Sequence, residues 1–328
     1  MGKINIGVTG TGSLVGQAII KSIKNSTFCN EFSIIGFDYI RNTIGSYWVD
    51  RNYLLPDFLK KGVKEGVWLK ELIEQINVSD IKAILIGIDF ELRLFAKYKK
   101  FIESQTKCKV LVSDLKVIEI ADDKYLTYQF LKNNDLYYPE TVLAKEFEKK
   151  LMRFPVILKP RRGTSSRDVF IIKDSRELKK RIAFIKDAII QEAVGDVDSE
   201  YTCGAICLDT ISKDKIIALK RFLKGGDTET AYFSKDTPKE IYDYVYKICC
   251  LLKPFGMCNF QLRLDKNGIP RLFEINARHS GTTYIRSLFG FNEVEYILGY
   301  LFNLKPKKLN LRYGMVKRFY DEMFIPAS

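Results

Sequence analysis

The chain of 328 residues is 46% hydrophobic and 28% charged, with a formal net charge of +13. That is the make-up of a globular protein with room for two or three domains, and no apolar run is long enough to cross a membrane. Its Lys and Arg are scattered over helix-like stretches such as "ELKKRIAFIK", a solvated-face pattern that argues against a nucleic-acid partner.

The start, "MGKINIGVTGTG", runs straight into a strand without the zones of a signal peptide, so a cytoplasmic location is expected. Strands and helices then alternate. "INIGVTG" reads as a strand, "LVGQAIIKSIKN" as an amphipathic helix and "FSIIGFD" as a second strand. "WLKELIEQINV" and "ELRLFAKYKKFIES" read as helices, and "AILIGID" and "KVLVSD" as strands. This order predicts an α/β doubly wound parallel sheet over residues 1–115.

Beyond it the rhythm changes. "DDKYLTYQFLKNNDL" is a predicted helix, followed by strands "PVILKP" and "DVFIIK" and a helix from "SRELKKRIAFIKD". Strands "AIIQEAV", "EYTCGAICL" and "KIIALKRFLK" come next, then a long helix near 238–252, a hairpin and two closing helices. Clustered strands with helices to one side predict an α+β layout. The 7 Cys contain no C-x-x-C pair, so buried thiols are expected rather than a zinc site.

Two stretches compete for the chemistry. "VTGTGSLVGQ" places Gly10, Gly12 and Gly16 at a strand-to-helix turn, and Asp38 ends the next strand. That is a variant of the dinucleotide fingerprint, and an NAD(P)-dependent oxidoreductase is the reading it supports. The same glycines suit any turn where backbone approaches backbone.

The other stretch is "NFQLRLDKNGIPRLFEINARHSG". Asn267-Gly268 predicts a two-residue type I′ hairpin. Gln261 then faces Glu274, and Asn259 faces Asn276, with Arg263 and Leu272 on the same side. Phe260, Leu262, Arg271, Phe273 and Ile275 take the opposite, mostly apolar face. Gln261, Glu274 and Asn276 thus gather oxygen donors suited to Mg²⁺ that shares its sphere with phosphate. Arg278 continues that face and could steady a transferring phosphoryl group. Upstream, Lys159 ends a strand, and the loop of Gly163, Thr164, Ser165 and Ser166 offers N–H and hydroxyl donors to phosphate.

With these parts in order, the chain resembles the ATP-grasp superfamily, and most closely a single ATP-grasp unit of the carbamoyl-phosphate synthase type and related carboxylate–amine ligases. The resemblance covers the whole chain, the N-terminal sheet standing as the domain that precedes ATP-grasp folds, and it implies two ATP-grasp subdomains over 116–190 and 191–328. It implies that Lys124 and Lys159 contact phosphates and that Gly163 to Ser166 form a flap over them. It implies adenine at Glu192 and at the backbone of Ala193 and Val194, and ribose at Glu200. Gln261, Glu274 and Asn276 correspond to ligands of Mg²⁺, or Mn²⁺ in its place. Arg278, Lys159 and Arg221 are the implied catalytic cations. The implied reaction phosphorylates a small-molecule carboxylate with ATP, and an amine then displaces the phosphate. A homodimer is compatible with the resemblance; a non-catalytic ATP-binding regulator is the alternative within the same fold. One departure is "ARHSGTT", where His279 lies beside the expected acyl-acceptor region.

Overall fold

The first sheet follows from buried apolar strands separated by amphipathic helices. A computed structural model of the chain describes residues 2–149, 153–163 and 168–326. Its opening third runs β1 (Ile4–Thr9), α1 (Leu14–Lys24), β2 (Phe32–Asp38), β3 (Arg51–Leu54), α2 (Glu65–Val78), β4 (Ile81–Leu85), α3 (Leu92–Gln105) and β5 (Lys109–Leu111). The strands lie parallel in the order β3-β2-β1-β4-β5. The chain order turns back between β1 and β4, so the loops after these strands open at the sheet's carboxyl edge.

Two helices then lead away: α4 (Leu115–Asp122) and α5 (Lys124–Asn133). The second is capped by Asp123, whose carboxylate accepts from the N–H groups of Tyr125 and Leu126 at 3.0 and 3.1 Å. Next come β6 (Thr141–Leu143), β7 (Val156–Pro160), β8 (Phe170–Ile172), α6 (Ser175–Ile182) and β9 (Ala188–Glu192). They make an antiparallel sheet in the order β6-β9-β7-β8, packed on a small core of Val142, Val156, Leu158, Leu178 and Ile190.

The last sheet has the order β14-β13-β10-β11-β12-β15. Its members are β10 (Glu200–Cys207), β11 (Ile216–Lys224), β12 (Asp227–Phe233), β13 (Gly256–Leu264), β14 (Pro270–Asn276) and β15 (Gly314–Lys317). Helix α7 (Lys239–Leu252) packs on it, and α8 (Thr283–Leu288) and α9 (Glu293–Phe302) close the chain's fold. One apolar cluster joins this sheet to the first, running from Phe37 and Trp68 through Val117 and Leu131 to Cys203, Phe260 and Leu272. The middle sheet is thus set apart by its own core, and a cleft lies between it and the last sheet.

The sequence reading missed β3, β6, β12, β15 and α4. β3, β6 and β15 are only three or four residues long and lie at sheet edges, too short for alternation to show, whereas β12 is a seven-residue interior strand whose apolar signal is masked by Asp227, Thr228, Glu229 and Thr230. The predicted helix after Asp174 ends at Ile182, five residues before Asp187, where the predicted stretch closes.

The glycine loop is closed by its own neighbours. Asp38, the acid that would hold a ribose, accepts from Thr11 Oγ1 at 2.8 Å, from the Gly12 N–H at 2.6 Å and from Thr43 Oγ1 at 3.1 Å. Gly10 adopts φ +59°, and a Cβ on Gly16 would run into the Gly10 carbonyl oxygen. Backbone contact therefore explains these glycines, and the acid's oxygens are spent on the loop itself.

Candidate active site between the two antiparallel sheets

The β13–β14 hairpin delivers the site by a route the sequence reading did not foresee. Its turn is not type I′. Gly268 N donates to Asp265 O at 2.9 Å, Asp265 N to Ile269 O at 2.9 Å, and Gly268 has φ +75°. This is a type I turn closed by a left-handed glycine, and the Asp265 carboxylate fixes it by accepting from Asn267 N and Ile269 N. The turn shifts the register by one residue. A bulge then restores it: Leu262 faces Leu272, yet Gln261 faces Glu274 and Asn259 faces Asn276.

The extra residue of the bulge is Phe273, which lines the cleft rather than the core, while Leu272 is 1% exposed in the core. Both reverse the predicted faces. Asn259 is buried and committed elsewhere, accepting from Thr202 Oγ1 at 2.9 Å and from Arg286 Nη1 at 3.0 Å.

Lys124, Lys159, Gly163, Glu192, Val194, Glu200, Arg221, Gln261 and Glu274 all line this one cleft. Ile157, Val169, Leu223 and Phe273 give it apolar walls. Ala193, Asn276 and Arg278 are not in the lining, the last two lying just beyond Glu274 along the chain, and Thr164, Ser165 and Ser166 lie outside the described residues.

Lys124, at the first turn of α5, donates to the Gly163 carbonyl at 2.8 Å. Lys159 points in from β7, 5% exposed, with its ammonium 2.8 Å from Gln191 Oε1 and 5.4 Å from the centre of the Phe273 ring. Burial, and then the like charge of Lys124, bring its pKa down to about 7.

Glu274 is its counterpart. Burial alone would raise its pKa, but Lys124, a hydrogen bond from Asn276, Lys159 and Arg221 outweigh that and leave it below the usual value. The carboxylate receives Asn276 Nδ2 at 3.0 Å and Gln261 Nε2 at 3.5 Å. The amide oxygens turn the other way, Gln261 Oε1 to Arg221 Nη2 at 2.7 Å and Asn276 Oδ1 to Arg278 Nη2 at 3.0 Å.

Two carried-over residues are more occupied than their expected roles suggest. Glu200 binds Arg221 Nε at 2.9 Å through one oxygen and Arg263 Nη2 at 2.8 Å through the other. Arg278 pairs with Asp89, at the carboxyl edge of the first sheet, and so links that edge to the β13–β14 hairpin. His279 is buried against Glu293 at 3.1 Å, inside a network centred on Arg286. These contacts hold the ring in a buried polar network.

Sequence reasoning missed Gln191, Asp123 and Phe273. Gln191 sits one residue before Glu192, and strand alternation points it inward. Asp123 accepts from Arg161 Nε at 2.8 Å and Arg162 Nη2 at 2.9 Å, tying the base of the Gly163 loop to α5. The adjacent acid and arginines in "DDK" and "PRRG" were the available signal.

A cation pair, one acid among amides, and a glycine loop in one cleft between two antiparallel sheets define a nucleotide-binding fold. The family model for the ATP-grasp domain matches residues 121–282, so this stretch of the chain is an ATP-grasp domain. It is 30% identical over 127 residues to a carbamoyl-phosphate synthase of Methanobrevibacter smithii, covering 37% of this chain and 35% of that one. It is 23% identical over 273 residues to a D-aspartate ligase of Enterococcus faecium, covering 74% and 64%. The chain thus matches between about a third and two-thirds of the length of these curated relatives.

Among solved structures, N5-carboxyaminoimidazole ribonucleotide synthetase from Thermotoga maritima superposes with a TM-score of 0.67 at 20% identity, covering 94% of this chain and 78% of that one. L-amino acid ligase from Bacillus licheniformis gives 0.69 at 16%, covering 93% and 75%. These likenesses establish the fold.

Proposed function

We propose that the chain is an ATP-dependent ligase that activates a substrate carboxylate as an acyl phosphate and joins it to an amine, releasing ADP and phosphate. The observation that carries this reading is the meeting of Lys124, Lys159 and Glu274 in one buried cleft between the two antiparallel sheets. The relatives named for aspartate and amino-acid ligation favour the same class of substrate chemistry.

The donor set fits a magnesium ion shared with a nucleotide. Among the described residues no group of three or more His, Cys, Asp or Glu is placed to hold a metal. An ion here would rest on the Glu274 carboxylate, phosphate oxygens, and the Gln261 and Asn276 amide oxygens once these turn from Arg221 and Arg278, a set that suits Mg²⁺. Bound there, it would neutralise charge on the phosphates as they react.

The chain's own residues supply the rest. Lys124 and Lys159 bind the phosphates. Ile157, Val169, Leu223 and Val194 give the base an apolar slot, and Glu200 faces the ribose side. Arg221, bonded to Gln261, and Arg278, bonded to Asn276, stabilise the negative charge that develops when the carboxylate attacks. The Gly163 loop excludes water from the acyl phosphate. Residues 1–115 supply an edge of the acceptor site through Asp89, residues 116–190 carry the phosphate loop, and residues 191–328 carry the hinge and metal hairpin. A homodimer and a cytoplasmic setting belong to the same reading.

The direct test is ATP-dependent phosphate release across a panel of amino acids and small carboxylates, each with and without an amine. Release that needs both partners supports the ligase. Release that needs neither contradicts it.

A further inference from the structure

Thr141, Gln191 and Lys159 form a hydrogen-bonded chain whose direction is forced. Thr141 Oγ1 donates to the Pro139 carbonyl at 2.9 Å. A carbonyl only accepts, so the hydroxyl proton is committed there and its lone pairs are left to accept. They receive Gln191 Nε2 at 2.8 Å. With its NH₂ so held, the amide turns Oε1 the other way, where Lys159 Nζ donates to it at 2.8 Å.

The strands build this row. Gln191 stands opposite Thr141 on one side and Ile157 on the other, and Lys159 lies two residues further along β7 on the same face. Thr141, Gln191 and Lys159 are 1%, 4% and 5% exposed, so no solvent competes for these bonds.

The partner at the end of the chain matters because of its charge. An acid at position 191 would form an ion pair with Lys159 and set a negative group beside the phosphates. An apolar residue would leave a buried ammonium without an acceptor. An amide oxygen fixes the ammonium in place without adding a second negative charge to that of Glu274.

We propose that Gln191 and Thr141 are positioning residues for Lys159, holding its ammonium on a neutral acceptor of fixed polarity until phosphate arrives. The assignment rests on the nucleotide reading of the cleft given above. It does not require that the chain's substrates be known.

The test is the affinity for MgADP, by calorimetry on the full chain and on substitutions at both positions. Thr141→Ser keeps the hydroxyl and should bind as the unaltered chain does. Thr141→Val frees the amide to turn its NH₂ toward Lys159 and should bind about tenfold more weakly. Gln191→Glu is nearly isosteric, yet should be the weakest binder, by more than tenfold, and weaker than Gln191→Met.

A merely structural role predicts the reverse order, with Gln191→Glu mild and Gln191→Met severe. That order, or a Thr141→Val chain with unchanged affinity, would overturn the proposal. If Thr141→Val does not fold, the comparison of the two Gln191 variants decides. An unaltered chain that binds no MgADP would remove the nucleotide reading itself, a failure distinct from equal binding by all the variants.

Discussion

Gln261 stands opposite Glu274 across the β13–β14 hairpin, and this pairing survives because a three-residue turn and a one-residue bulge offset each other. The turn slips the strands by one position; Phe273, left unpaired, slips them back. The acid therefore reaches the cleft, where Lys124, Lys159 and Arg221 hold it ionised. Glu274→Ala should lower turnover by roughly 10²–10³ or more while leaving the fold intact. Phosphate release and circular dichroism check this together. Full activity in a folded variant would remove the metal assignment.

Lys159 makes nucleotide binding pH-dependent. Its pKa of about 7 in the free chain lies well below the ordinary lysine value. Below pH 7 it is charged whether or not nucleotide is present, so affinity is flat. Phosphate favours the charged form, so above pH 7 binding takes up a proton and affinity falls as pH rises. Calorimetry at pH 8 in buffers of different ionisation enthalpy should report that uptake. For stability the sign is opposite: burying the charge costs most below pH 7, and the cost is relieved as pH rises toward the ordinary lysine value. Lys159→Ala should abolish both the uptake and most of the affinity.

The Arg286–Glu293–His279 network should govern resistance to acid. Burial would raise the Glu293 pKa, but Arg286 and then the His279 contact outweigh this and bring it to about 2. Its contribution is complete above the ordinary glutamate value and is lost as pH falls toward 2. Glu293→Gln should cost about 3–5 kcal/mol at neutral pH by leaving Arg286 buried without its partner. Thermal unfolding of the two chains at pH 7 and pH 3 should show the difference shrinking as the acid is approached.

The glycine loop should respond as packing, not as a cofactor site. Gly16→Ala forces a Cβ toward the Gly10 carbonyl and should destabilise the chain by about 2–4 kcal/mol. MgATP affinity in the folded fraction should not change. A stable variant would contradict the close backbone approach seen there.

The sequence spoke clearly where burial was two-sided and periodic. The parallel strands and their helices were read from such stretches, and the separated pieces around Lys124, Lys159 and Glu274 were found in order. The hairpin shows why the rest was harder. "DKNG" holds two turn signals, and Asn267-Gly268 overshadowed Asp265 at the first position of a type I turn, with Gly268 at the last. A bulge leaves no trace in alternation beyond one misplaced aromatic, here Phe273. Side-chain partners were less legible still. Nothing in the spacing says that Asp38 closes its own loop, that Gln191 carries Lys159, or that Arg278 finds Asp89 from a distant sheet. Such contacts depend on how sheets pack, which local pattern does not encode.

The central claim is that the cleft between the two antiparallel sheets, and not the Gly10–Gly16 loop, holds the nucleotide, and that the nucleotide is ATP with magnesium. Titration of the intact chain with MgATP and separately with NADH and NADPH tests it most directly. The account predicts saturable one-to-one binding of MgATP that weakens without Mg²⁺ and in Lys159→Ala, with no binding of either dinucleotide. Tight NADH or NADPH binding with none for MgATP would contradict it.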